Sequence, residues 1–436
     1  MRLLVLTLTA LLMACGPSDV ATGQDTEPDR SGNRAPGGAA NSQQSVPGAD
    51  AAMTGAPVET APPNVPEFSP AFEGQTRAPA IATQTPITVE TVAEGLNEPW
   101  SIAFMPDGRM LVTEKPGQLR IVSPDGSISA PVEGVPAVDA RRQGGLLDVE
   151  IGPSFASDRQ IYISYAEPRD GGNGLTVTRG TLVESESGSA PALAETEVIF
   201  RMMPTINSTM HSGGRLVWDD DDMLFITLGE RSIIEGRRQA QDLGSHFGKI
   251  VRVFADGSVP QDNPFVDTEG ARPEIWSSGH RNVLAAAFDA EGRLWEVEMG
   301  PQGGDELNLV EPGLDYGWPT IGYGEEYSGR RIHDTTQAEG MEQPVYYWDP
   351  VISPSGMVFY SGRLIPEWTG NAFIGGLSSR ALVRVVIEDE RVVAEERLLT
   401  EQGERIREVV EGPDGALYVA TDSSNGRVLR VAPAAE

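Results

Sequence analysis

The chain has 436 residues, with 33 Lys and Arg against 64 Asp and Glu, giving a formal net charge of −31. So acidic a surface lacks the clustered cations that a nucleic-acid backbone or an anionic lipid face requires, which excludes both as electrostatic partners. With 49 Gly, 33 Pro and only 22% charged residues, the composition is that of a turn-rich β-protein, not a helical bundle.

In chain order, residues 1–15 come first as an export signal. Arg2 precedes an apolar run from Leu3 to Ala14 that is too short to span a bilayer. Leu12-Met13-Ala14-Cys15 resembles a lipobox, in which Cys15 becomes the lipidated N-terminus; the alternative is an ordinary secretory signal cut nearby. These features predict a periplasmic or outer-membrane-anchored lipoprotein of a bacterial envelope. Cys15 is the one cysteine, so no intrachain disulfide staples the fold. Residues 16–86 are rich in Ala, Pro, Gly, Ser and Thr without apolar periodicity, which predicts a disordered tether.

Residues 87–436 carry a recurring unit, an apolar strand that turns and returns as a second apolar strand. The clearest copies run from Ser101 to Thr113 around Asp107-Gly108 and from Val409 to Ala420 around Asp414-Gly415. Others span Leu146 to Tyr165, Gly213 to Leu228, Leu284 to Val297 and Gly356 to Ile374. Six hairpins at roughly 58-residue spacing leave room for four strands and a loop in each unit, which predicts an all-β, six-bladed β-propeller. A pair of β-sandwiches is the rival architecture. Helix is expected to be scarce, with short turns between Ser232 and Leu243.

In a propeller, loops far apart in sequence converge at one end of the central channel, so function should appear as isolated polar motifs between strands. Five stand out: Arg142-Gln143-Gly144-Gly145, Met210-His211-Ser212-Gly213-Gly214, Gly279-His280-Arg281-Asn282, Met299-Gly300-Pro301 running on to Asp305-Glu306, and Glu404-Arg405-Ile406-Arg407. Of the four histidines, His211 is the candidate general base, because an imidazole accepts a proton near neutral pH; a packing or turn role is its alternative. His280 is expected to be a structural hydrogen-bonder, and His246 and His333 surface residues. Arg405 and Arg407, two apart, would face the same side of a strand, either toward an anionic ligand or as solvated surface groups. Asp305-Glu306 reads as metal-binding or as a charged hairpin turn.

With Asp315-Tyr316-Gly317-Trp318-Pro319, these motifs resemble, in order, the soluble aldose sugar dehydrogenases of the glucose/sorbosone dehydrogenase family, six-bladed propellers that use pyrroloquinoline quinone and calcium. The resemblance covers about residues 87–434. It implies that His211 is the catalytic base, that Gln143, Arg281, Asn282, Arg405, Arg407 and Tyr327 contact the quinone, and that Leu377 and Ser378 lie where a further contact is made. It also implies that the Gly300 and Pro301 carbonyls hold the calcium on the quinone, with Glu306 and Tyr316 at another calcium position. The implied reaction oxidises the anomeric carbon of an aldose to a lactone, with reoxidation by a periplasmic electron acceptor. Three departures stand out: Met210 replaces the usual Asn or Asp before the histidine, Ser378 replaces a lysine, and Val283-Leu284 replaces Pro-Gln. They favour an alternative, a catalytically impaired propeller lipoprotein that serves as a ligand-binding or envelope-assembly module. A calcium-dependent lactonase is a weaker alternative, because it leaves the arginine set unexplained.

Overall fold

The computed structural model describes residues 55–184 and 190–435. The expected export signal, Cys15 and the tether up to residue 54 lie outside the described residues. Among the described residues, no helix is long and apolar enough to cross a membrane.

Among the described residues, six antiparallel sheets form a six-bladed β-propeller, five of four strands and one of three. Each expected hairpin supplies the first two strands of a blade. In blade 1 these are Pro99–Phe104 and Met110–Glu114; in blade 2, Leu146–Ile151 and Gln160–Arg169; in blade 3, Gly213–Trp218 and Met223–Leu228. Blades 4 to 6 begin with Val283–Phe288 and Leu294–Glu298, Pro354–Phe359 and Ala372–Gly376, and Ile406–Glu411 and Leu417–Thr421. The turn in blade 1 is closed by Gly108 N–H donating to the Met105 carbonyl at 2.9 Å and Met105 N–H to the Arg109 carbonyl at 2.8 Å. Gly108 has φ of 84° there, and Asp222 takes the same left-handed place in blade 3 at 60°, as a short hairpin loop with a glycine-type bulge requires.

The first strands of the blades line the channel, each packed against its counterparts in the neighbouring blades. The apolar side chains of adjacent blades mesh face to face, so the core divides into six clusters, one per interface. The ring closes where the opening strand Ile87–Leu96 pairs antiparallel with Gly426–Pro433 and completes blade 6. A closed ring leaves no long edge strand. Among the described residues, helix is confined to two four-residue segments, Phe155–Asp158 and Ile234–Arg237, and two short 3-10 turns.

Residues 55–86, expected as part of the tether, are ordered. They form a strap along blades 4 and 5. Gln75 is fully buried, its side-chain amide donating to the Pro344 carbonyl at 2.8 Å while its oxygen accepts the Tyr323 hydroxyl at 3.0 Å. The Asp349 carboxylate accepts the N–H groups of Asn64 and Val65, and the Thr83 hydroxyl donates to Glu396 at 2.6 Å. Composition alone underestimates such a segment, because it docks through hydrogen bonds that neutralise backbone groups and needs little apolar surface.

Candidate active site

The residues that precede the first strands meet at one rim of the channel. A continuous chain of hydrogen bonds joins them. Gln143, ahead of blade 2, accepts the His211 N–H at 2.8 Å, and Asn282 accepts the Gly213 N–H at 3.2 Å. The Arg281 guanidinium donates to the Gly300 carbonyl at 2.6 Å. Gly300 N–H and Ser353 N–H share the Asp305 carboxylate, at 2.8 and 2.7 Å. Leu377 N–H reaches the Ser353 carbonyl at 3.0 Å, and Arg405 donates to the Leu377 carbonyl at 3.2 Å. His211, Arg281 and Arg405 therefore belong to one rim.

His211 is buried, and its Nδ1 lies 2.7 Å from the Glu230 carboxylate. Its backbone is left-handed, at φ of 48°, an uncommon state for a residue with a side chain and one that clusters at functional sites. Arg231, fully buried, holds it there by donating to the His211 carbonyl at 3.0 Å and to the Ser212 hydroxyl at 2.8 Å. A Cβ at Gly229 would lie 2.2 Å from the His211 carbonyl oxygen and 2.7 Å from Asn282 Oδ1, so only glycine allows this approach of blades 3 and 4. Burial and the nearby Arg281 charge pull the His211 imidazole down to about 4, against the opposing pull of Glu230. The ring is therefore neutral at pH 7. With Nδ1 engaged by Glu230, Nε2 carries the lone pair.

Arg281 is buried, stands 5.3 Å from the Trp318 ring centroid, and also grips the Met299 carbonyl at 2.6 Å. Its own N–H and that of Asn282 donate to Glu298 Oε2. A cavity is lined by Arg281, Glu298, Gly300, Pro301, Glu306 and Tyr316 among others, which brings five of the expected site residues together. The Gly300–Gly304 turn is tight: a Cβ at Gly300 would lie 2.2 Å from the Gly304 carbonyl oxygen. Glu306 is pushed well up by burial and by the Glu298 and Glu296 charges. Asp305 is raised to about 7 by burial, against four backbone and charge contacts that favour its anion. The Tyr316 hydroxyl donates to the Leu309 carbonyl and accepts the Glu311 N–H, so only its main-chain carbonyl remains for a metal.

On blade 6, the Arg405 and Arg407 guanidinium groups converge on Asp422, at 2.8 and 3.0 Å. Arg407 also donates to the Ser355 hydroxyl at 3.2 Å, and its Nε is buried without a partner. Burial opposes the Asp422 charge, but Arg407 and Arg405 outweigh it and hold the carboxyl below its ordinary range. Leu377 is buried on this side, and the exposed Ser378 returns its hydroxyl to the Val351 carbonyl. Tyr327 is 75% exposed and stands apart from the buried group. His246 and His333, expected at the surface, are buried. His246 bonds Glu274 at 2.6 Å, and His333 packs between Phe68 of the strap and Trp318. His333 lies in the 311–345 insertion between the last two strands of blade 4 and is covered by the strap, far away in sequence, so no local pattern announces its burial.

Glu230, Arg231, Glu298 and Asp422 were missed from sequence. The three acids share a signal, each lying at or just beyond the end of a hairpin's second strand, opposite the residues that precede the first; Arg231 follows Glu230 and has no signal of its own. Glu230, Glu298 and Asp422 hold His211, Arg281-Asn282 and Arg405-Arg407 in blades 3, 4 and 6.

The family model for glucose/sorbosone dehydrogenase matches residues 96–430. The chain belongs to the glucose/sorbosone dehydrogenase family. It is 42% identical to an aldose sugar dehydrogenase of Escherichia coli over 357 residues, 81% of this chain and 94% of the relative. The crystal structure of the apo-form of the soluble aldose sugar dehydrogenase from Escherichia coli superposes with a TM-score of 0.75 at 42% identity, covering 80% of this chain and all of that one. The pyrroloquinoline-quinone-bound aldose sugar dehydrogenase from Streptomyces coelicolor superposes with a TM-score of 0.65 at 28% identity, covering 80% of this chain and all of that one. Membership assigns the protein to a family of oxidoreductases that act on sugars, with a quinone-type cofactor.

Proposed function

We propose that this family member is an exported quinoprotein that oxidises the anomeric carbon of an aldose to a lactone, with His211 as base. The observation that carries the reading is the His211–Glu230 pair on the same rim as Arg281, Arg405 and Arg407. The residues suit a tricarboxylate quinone. Arg281 Nε and Arg407 Nε are buried donors without partners, and guanidinium forks match carboxylate and quinone oxygens. Gln143 and Asn282 add amide groups from other blades, while Leu377 and Ser378 lie beside Arg405. The exposed Tyr327 completes the set only if its loop folds inward. When bound, the quinone supplies the acceptor for the two electrons of the departing hydride.

Calcium fits the acidic side. The Gly300 carbonyl keeps a second lone pair beside its bond to Arg281, the Pro301 carbonyl is adjacent, and Glu306 with the Tyr316 carbonyl offers further hard oxygen ligands. His211 Nε2 accepts the proton of the anomeric hydroxyl as the C1–H bond breaks, and the oxygen–carbon bond becomes the lactone carbonyl. Glu230 orients the ring before the transfer and stabilises the imidazolium after it. Trp318 and the buried cavity walls exclude water from the charged groups. We also propose export through the N-terminal signal, anchoring at Cys15 and reoxidation by an envelope electron acceptor.

Adding the quinone and calcium to purified protein should give dye reduction with one or more aldoses. His211→Ala should lower turnover by about 10²–10⁴-fold and retain the bound-cofactor spectrum. Absence of both turnover and a cofactor spectrum rejects the enzyme reading. The second reading, a ligand-binding or envelope-assembly module, draws on Ser378. Its hydroxyl is spent on a backbone carbonyl and offers no cation where the family carries a lysine.

A further inference from the structure

Behind the rim, His280, Glu296 and Glu298 place one imidazole nitrogen and two carboxylates within 4.8 Å of one another. Glu296 and Glu298 alternate on the second strand of blade 4 and so share a face. His280 lies in the segment that enters the same blade. His280 and Glu296 are fully buried, and Glu298 is 3% exposed.

The geometry is wrong for hydrogen bonds. His280 Nδ1 lies 3.5 Å from Glu296 Oε1 and 3.9 Å from Glu298 Oε1, beyond a useful N–H···O distance. Nδ1 and Glu296 Oε2 are buried without hydrogen-bond partners, as is the oxygen of the neighbouring Asn308 amide. Leaving such groups unsatisfied is costly. Ligands held at 2.0–2.2 Å around a tetrahedral ion stand about 3.4 Å apart, close to the His280–Glu296 separation.

The supporting contacts orient this donor set. The other ring nitrogen, Nε2, lies 2.8 Å from the Ser277 hydroxyl, as the non-ligating nitrogen of a metal-bound histidine commonly does with a polar partner. Glu298 commits Oε2 to the N–H groups of Arg281 and Asn282, which leaves Oε1 facing the histidine. Asn308 Nδ2 fixes Glu296 Oε1 at 2.7 Å. The His280 ring is stacked on Tyr316, with centroids 4.8 Å apart.

From this arrangement we infer that His280, Glu296 and Glu298 form a buried structural site for a borderline divalent ion of the zinc class. The imidazole nitrogen selects against calcium, which takes hard oxygen ligands, and favours zinc or its neighbours. The ion fixes Glu298 and hence the backbone of Arg281 and Asn282, so it supports the rim without touching substrate. The inference does not depend on the quinone.

The test uses the full chain, stripped with a chelator and titrated with zinc alone in the presence of excess calcium, without quinone. The expected result is one tightly bound zinc per chain and a raised Tm. Glu296→Gln should weaken zinc binding by at least tenfold. Cobalt titration of the unmutated chain gives an independent readout, because coordination by nitrogen and oxygen ligands produces visible ligand-field absorption; this keeps the test valid should the variant misfold. Three outcomes overturn the proposal. They are no stoichiometric zinc or cobalt bound by the unmutated chain, a folded Glu296→Gln variant that binds zinc as before, and displacement of the zinc by millimolar calcium.

Discussion

On the blade 3 and 4 side of the rim, two buried guanidinium groups, Arg231 and Arg281, stand among four acids, Glu230, Glu298, Asp305 and Glu306, and the imidazole is neutral. On the blade 5 and 6 side, Arg405 and Arg407 share the single carboxylate of Asp422. The first side is sealed: His211, Arg281 and Glu298 are buried. The second is more open, the Arg405 side chain being 43% exposed. An acidic buried wall holds cations and a neutral base, whereas a half-open cationic wall admits an organic anion. A guest bearing carboxylates at one end and a metal-binding edge at the other would match both, and in the function proposed above proton transfer belongs to the sealed side.

The largest expected effect tests that sealed side. Glu230→Gln keeps the shape of the group that orients His211 and removes its charge. Turnover should fall by roughly 10²-fold, with the cofactor still bound. Steady-state kinetics beside a cofactor spectrum checks this, and an unchanged kcat would remove Glu230 from the proton path. The pH profile sharpens the same point. An ordinary histidine titrates near 6.5, whereas burial and Arg281 place His211 at about 4. The neutral base should therefore persist on acidification until about pH 4, and the acid limb of kcat/KM assigned to His211 should lie there. Between about 6.5 and 4 the unfolded chain binds a proton that folded His211 refuses. This residue's contribution to stability therefore falls as pH drops through that window and is constant below it. A wild-type limb near 6.5 would show a solvated imidazole in place of a sealed one.

Much of this architecture was legible in the sequence because hairpins are local. Asp107-Gly108 and Asp414-Gly415 declare their turns, the flanking apolar runs declare the strands, and six copies imply a closed ring. The positions that precede the first strands were legible for a related reason: Gln143, His211, Arg281 and Arg405 are polar residues at points where the pattern breaks. Their partners were not. Whether Glu230 meets His211 depends on register and on the positive φ of His211, neither of which a list of residues contains. The strap was misread because Gln75 bonds to Pro344, 269 residues away, and no local pattern announces such a contact.

The cationic side predicts effects of intermediate size. Arg407→Met removes a charge-assisted donor worth about 1.5–3 kcal/mol, so quinone affinity should fall by roughly tenfold or more. Arg405→Met should cost less, because its more exposed guanidinium is better screened. Titration of the stripped protein with quinone, at low and high salt, orders the two. Equal losses would mean that the open and sealed halves of this wall do not differ.

The smallest effect concerns the strap, which lies against the insertion that walls the sealed cavity. Gln75 accepts the hydroxyl of Tyr323, and Tyr323 lines that cavity without belonging to the proton path. Gln75→Ala leaves the Pro344 carbonyl and the Ala71 N–H without their partner, while the Tyr323 hydroxyl keeps its bond to Gln343, at a cost of about 1–3 kcal/mol. In a chain of this size that lowers Tm by only a few degrees, roughly 2–4 °C per kcal/mol at most. Thermal unfolding followed by circular dichroism measures it. Turnover should change far less than with Glu230→Gln, because the strap reaches the chemistry only through the packing of Tyr323. A loss of turnover as large as that of Glu230→Gln would make the strap part of the site and erase the distinction between the wall proposed to perform the reaction and the segment that braces it.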